Sequence, residues 1–162
     1  MAAEPIRILL HDNGEDVETM WAVPVESPPG RTFVRLDNVP FLHARPTYGD
    51  TLEVAEDEAQ PGWLSWNRAG CPFEEIPERL VVDGGRYAVI VDYTCDDLAR
   101  FAALTRWARE SADLHGEGAY SPDDSRPGRL YLAVPYATAP DAVMAILGAN
   151  PHGFSFVLVH PV

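Results

Sequence analysis

His115 and Glu117 stand two residues apart in the run Leu114-His115-Gly116-Glu117-Gly118, a spacing that on an extended strand points both side chains the same way. An imidazole beside a carboxylate is the least that a general acid–base pair requires, or half of a metal site. No third ligand or second base has matching spacing nearby, so the same run suits a polar sheet edge that discourages strand addition. His11 beside Asp12 and His43 near Arg45 fit turn or strand-end positions. The chain has no nucleophile next to a base, no metal-ligand spacing and no phosphate-binding glycine loop. No cofactor and no metal are therefore expected. The chain reads as non-catalytic, with His115 and Glu117 the one pair to nominate for catalysis.

Charge is the stronger signal. Twelve basic residues, all arginine, stand against 25 acidic ones, a formal net charge of −13 over 162 residues. That balance disfavours nucleic-acid phosphates and anionic membranes and allows a basic protein partner. Acids recur as Glu15, Asp16 and Glu18, as Glu53, Glu56, Asp57 and Glu58, and as Glu74, Glu75 and Glu78. Such runs ordinarily keep a face solvated. Here Trp63 and Trp66 follow the second cluster, with Phe73 beyond. A hairpin turn over 56–62 would set Glu56, Asp57 and Glu58 beside the indoles as a partner-docking patch, with steering at the rim and aromatic burial at the centre. The competing reading packs at least one indole in the core.

A second set of candidates is cationic. Arg35, Arg45 or Arg86 would supply the anchoring charge for a small ligand held in a pocket between the two halves of the chain. The turn Asn38-Val39-Pro40-Phe41 has a structural reading, in which proline fixes φ and Phe41 re-enters the core. Its functional alternative is that, with Arg45 and Tyr48, it rims a ligand pocket at a barrel mouth.

These residues need a scaffold. Short β-type runs at 6–10, 17–25, 31–36, 51–55 and 63–66 are broken by Asn13-Gly14, Pro28-Pro29-Gly30, Tyr48-Gly49-Asp50 and Pro61-Gly62. They predict a meander closing into a small barrel. From Val17 onward, Val17, Thr19, Trp21, Val23 and Val25 alternate with Glu18, Met20, Ala22, Pro24 and Glu26, so one face is mostly apolar and the other carries both carboxylates. After Gly84-Gly85, a short hinge, the pattern changes to strand 87–93, helix 96–111, strand 114–120, strand 130–135, helix 139–147 and strand 153–160. The first helix should present Leu98, Phe101, Ala102, Thr105 and Ala108 on one face, and the second Val143, Ile146 and Leu147. Thr94-Cys95-Asp96-Asp97 and Thr138-Ala139-Pro140-Asp141 both read as threonine N-caps with an acid three residues on. The order βαββαβ is that of a ferredoxin-like sandwich, whose first and third strands are central, with 114–120 at an edge. Its open face, lined by Tyr87, Val89, Val91 and Tyr93 or by their neighbours, is expected to receive the barrel.

Glu18-x-x-Trp21 before a strand, Leu36-Asp37-Asn38-Val39-Pro40-Phe41, then Tyr48-Gly49-Asp50 before another strand, occur in an order that resembles the bacterial domain-of-unknown-function family 4265. The resemblance covers roughly residues 5 to 95 and implies a small bacterial β-domain; it brings no catalytic residues. The chain departs from the pattern after Gly62, where 67–78 reads as an insertion between strands.

The expected architecture is α+β: a small antiparallel β-barrel over residues 1–83, packed on a ferredoxin-like βαββαβ sandwich over 84–162. No segment reaches the roughly 18 apolar residues a membrane span needs, and no charged N-terminal region leads into an apolar run, so a cytoplasmic protein is expected. Cys71 and Cys95 are too few and too isolated for a disulfide framework or zinc site and should be reduced thiols. The functional expectation is an acidic protein-binding module, an immunity-type or antitoxin-like inhibitor of a basic protein. The alternative is a small-molecule sensor or accessory protein of a biosynthetic pathway, with its ligand between the domains. The sequence sets no oligomeric state.

Overall fold

Alternating apolar side chains form five strands in the first half of the chain: Ile6–His11 (β1), Val17–Pro24 (β2), Thr32–Leu36 (β3), Thr51–Glu56 (β4) and Leu64–Asn67 (β5). In the computed structural model, which describes residues 3–12, 16–41, 45–67, 73–120, 122–123 and 126–161, they close into a barrel in chain order. Consecutive strands run antiparallel. With an odd number of them, the first and last point the same way, so closure is parallel: β5 pairs with β1 from Ile8 opposite Leu64 to His11 opposite Asn67. Asn13, Gly14, Glu15, His43, Cys71 and the side chains of Phe73 and Glu74 lie outside the described residues.

Ile8, Leu10, Met20, Ala22, Val34, Leu36, Leu52, Val54 and Trp66 fill the barrel, joined by Ile76 from the 3₁₀ helix Phe73–Arg79. The segment that reads as an insertion thus contributes a core residue. The mostly apolar face of β2 is not the one that is buried: Met20 and Ala22 are fully buried, while Trp21 is 44% exposed. β1 decides this. Ile8 lies opposite Met20 and Arg7 opposite Trp21, so burying Ile8 and Leu10 rather than Arg7 carries Met20 and Ala22 inward. Outside, the Arg7 guanidinium stacks 4.8 Å from the Trp21 ring.

The turn after β3 is tied to β2. Asn38 Oδ1 accepts from Trp21 N at 2.9 Å, Asp37 N donates to Trp21 O at 2.9 Å, and Glu18 Oε1 accepts from Phe41 N at 2.7 Å. Val39 and Pro40 are buried, and Phe41, expected to re-enter the core, is only half-buried. Gly49 adopts φ +89°, which its place in the turn before β4 requires.

Met1–Gly85 is one compact unit and Arg86–Val162 a second. The second comprises Arg86–Cys95 (β6), Phe101–Ala112 (α1), His115–Tyr120 (β7), Gly128–Pro135 (β8), Pro140–Gly148 (α2) and Phe154–Pro161 (β9). Its sheet is antiparallel in the order β7-β8-β6-β9, with β6 and β8 central and β7 at an edge. Both helices pack on the face that carries Val89, Val91 and Tyr93, where Leu104, Ala108, Val143 and Leu147 are buried. The neighbours Ile90, Asp92 and Thr94 therefore occupy the helix-free face.

Two local expectations fail. Leu98 lies in a 3₁₀ turn, Leu98–Arg100, and is exposed, so the buried stripe of α1 runs through Leu104 and Ala108 rather than Leu98, Ala102 and Thr105. The tighter 3₁₀ winding does not carry its phase into the α-helix. Neither threonine caps a helix. Thr94 remains in β6, Asp97 caps the 3₁₀ turn by accepting from Ala99 N at 3.0 Å, and α2 starts after Ala139 on Pro140, whose fixed φ suits the first helical position. Cys95 ends β6 as a half-buried free thiol whose pKa burial pushes up.

Candidate functional site

The loop joining β4 to β5 is built by its own sequence. Proline precedes Gly62 at φ +87°, and Trp63 N donates to Gln60 O at 3.1 Å, a turn of type II form. Asp57 organises the rest. Its backbone N donates to Trp63 O at 2.8 Å, and its Oδ1 accepts from Ala59 N at 3.0 Å and Gln60 N at 2.8 Å. Its Oδ2 lies 2.6 Å from His11 Nε2, and the Ser65 hydroxyl donates to the same carboxylate. Asp57 is only 5% exposed. The Ser65 hydroxyl, then His11 and the two amides, hold its carboxyl below the usual range against the opposing effect of burial.

Around this carboxylate an open groove of about 900 Å³ is lined by His11, Ser65, Asn67, Glu53, Glu56 and Glu58, with Arg31 and Arg79 also on its walls. Arg31 grips Glu53 through two hydrogen bonds, Nε to Oε1 at 2.7 Å and a second from Nη2 to Oε2. The pairing raises the arginine's pKa and lowers that of the glutamate. Arg79 Nη2 donates to Asn67 O at 3.2 Å, and its guanidinium lies 5.6 Å from the Trp66 ring. Glu56 and Glu58 are exposed.

Ser65, Asp57 and His11 contain the three side chains of a hydrolase triad but not its order. A nucleophilic serine needs the imidazole at its hydroxyl, with the carboxylate behind the imidazole. Here the carboxylate is central, and the Ser65 proton goes to Asp57. The trio fastens β1 and β5 to the hairpin loop and activates no nucleophile.

Asp57, expected as a docking carboxylate, is thus consumed within the hairpin, and Trp66 is a core residue at 4% exposure. Trp63 is half-buried. The signal for Asp57 was present: an Asp at the end of a strand run, closed by Gln60-Pro61-Gly62, is a residue that bonds its own turn.

The cationic candidates are dispersed. Arg35 is exposed on β3 and Tyr48 half-buried. Arg45 Nη1 lies 3.7 Å from Asp50 Oδ2 and 3.5 Å from Asp83 Oδ1. Asp50 is fully buried and accepts from Thr47 N at 2.8 Å and Gly84 N at 2.7 Å, yet burial pushes its carboxyl up more than these amides and Arg45 lower it. In the second unit, Arg86 Nη1 donates to Asp113 O at 2.7 Å and its Nη2 to Asp113 Oδ2 at 2.5 Å. His115 Nε2 reaches the other Asp113 oxygen at 3.1 Å, and burial followed by the Arg86 charge depresses the imidazole's pKa. Glu117 is half-buried, opposite Tyr131 on β8. Among the described residues no three His, Cys, Asp or Glu side chains converge as metal ligands.

The chain is therefore an α+β protein with a closed five-stranded barrel and a four-stranded antiparallel sheet bearing two helices. No family model and no curated protein matches it. Among solved structures, a hypothetical protein from Neisseria gonorrhoeae aligns over 97% of this chain and 93% of its own, at 9% identity and a TM-score of 0.43. Among the described residues no helix is long and apolar enough to cross a membrane.

Proposed function

We propose that this chain is a non-catalytic, acidic protein-binding module of the cytoplasm, an immunity-type or antitoxin-like inhibitor whose barrel groove docks a basic protein. The observation that carries the reading is the groove's charge. Glu53, Glu56 and Glu58 are exposed along it against Arg31 and Arg79, and the first of these cations is engaged by Glu53 while the second rests on Trp66. A cationic partner is drawn to such a surface by a field that salt screens. The internal ion pairs of Arg45 and Arg86 favour this over a small-molecule site, which would draw on those guanidinia as anchors.

The same reading takes the chain as a member of domain-of-unknown-function family 4265. The residues that carry the resemblance support it as structural devices: Asn38 accepts from Trp21 N, Glu18 accepts from Phe41 N, and Asp50 accepts from Gly84 N, with Gly84 packed against Gly49. The strand order β7-β8-β6-β9 with β6 and β8 central supports a ferredoxin-like reading of the second unit.

The test is affinity capture from source-cell lysate with the wild type and with a Glu53→Ser, Glu56→Ser, Glu58→Ser triple variant. A basic protein retained at low salt, released at high salt and lost by the variant is the expected result. No basic protein at low salt, or equal retention by the variant, overturns the proposal.

A further inference from the structure

β7 and β9 are the two edges of one sheet, and they differ in the property that governs edges. β7 carries His115, Glu117 and two glycines, features that discourage further pairing. β9 from Phe154 to Val159 carries no charge and is apolar on both faces: Phe156 and Leu158 are half-buried, and Val157 and Val159 are 68% and 43% exposed. An uncharged, exposed edge of this kind is a template for another strand.

The surroundings of β9 share this neutrality. α2 packs along it, and the exposed positions of α2 are Asp141, Ala142, Ala145 and Gly148, one charge where a surface helix ordinarily has a polar face. A groove of about 510 Å³ beside Ser155 and Val157 holds charges that are already matched, Asp92 with Arg129 at 2.8 Å and Asp123 with Arg126 at 3.7 Å. Two copies of a chain carrying −13 repel wherever their acids face. The β9–α2 side offers few charges to repel a copy, and it lacks the charge that would select a basic partner.

We propose that β9 pairs antiparallel with β9 of a second copy about a two-fold axis, joining two four-stranded sheets into one of eight strands. An antiparallel strand is its own complement, so the contact is isologous and closed. Val157 and Val159 then lie against the same residues of the copy, and the alanines of α2 let the two helices approach. The contact uses nothing from the barrel groove, so its failure leaves the proposed function untouched.

Sedimentation of the full chain over a range of concentrations tests this. The expected result is a species of twice 17.8 kDa at high concentration, with β9 amides that lose their protection from hydrogen exchange on dilution. Val157→Glu should give the monomer mass at every concentration, while Ala102→Glu, on the exposed side of α1, should leave the dimer intact. Ser155→Asp, at an exposed position on the same strand, serves if Val157→Glu fails to fold. A wild type that stays monomeric throughout, or a dimer whose mass and β9 protection survive the folded β9 variants, overturns the proposal.

Discussion

His11 Nε2 and Asp57 Oδ2 lie 2.6 Å apart, although 46 residues separate them. The contact closes a circuit. β1 and β5 are adjacent only because the barrel closes, and Asp57, reaching back from the hairpin loop, ties the end of β1 to the residues that open β5. A carboxylate held this way contributes to stability only while ionised.

Asp57→Asn should lower the thermal midpoint at neutral pH, since the amide cannot accept from His11, Ser65 and the loop amides together. The folded pKa of Asp57 is depressed, so its contribution is fully present above the unfolded value of about 3.9 and is lost as pH falls through the lower folded value. Denaturant unfolding of both proteins from pH 7 downward should therefore show their difference shrinking below about pH 4. A difference independent of pH would mean that the ionised contacts contribute nothing.

Asp50 should behave oppositely. Burial raises its folded pKa, so the proton binds the folded state more tightly and the contribution of Asp50 grows as pH falls from neutral. Relative to Asp50→Asn, the wild type should gain stability on acidification through the raised folded pKa and level off below about pH 3.9. The same unfolding series reads this, and a slope of the Asp57 sign would show that the two backbone amides and Arg45 outweigh burial.

Gly84→Ala should destabilise by about 1–3 kcal/mol, because its new methyl would sit 2.5 Å from Gly49 C and 2.8 Å from Asp50 N, backbone atoms that have little room to yield. Gly148→Ala, at the end of α2 with no atom beyond its chain neighbours and its own helix backbone within 4 Å of the added carbon, should instead stabilise by about 0.4–1 kcal/mol. Chemical denaturation of the two variants decides both signs.

Trp66→Ala should cost about 3–5 kcal/mol, the loss typical of a buried indole, while Glu56→Ser and Glu58→Ser should each stay within about 0.5 kcal/mol. A folded Trp66→Ala with wild-type stability would place the indole outside the core.

The sequence alone was enough to place most elements. Tyr87 to Tyr93 is an apolar run that sits as the central strand β6, Pro61-Gly62 forms the turn it announces, and Val143 and Leu147 face the core as their spacing requires. These features are local: φ restrictions, turn chemistry and periodicity act within a few residues. Which face of an element turns inward is not local. Val17, Thr19 and Trp21 look like the buried face of β2 until β1 supplies Arg7 opposite Trp21 and Ile8 opposite Met20. Asp57 is legible as an acid that bonds its own turn, but its contact with His11 exists only because barrel closure brings β1 beside β5. Burial of a side chain is settled by what lies opposite it, and for a strand that neighbour comes from a distant part of the chain, which tertiary pairing alone selects.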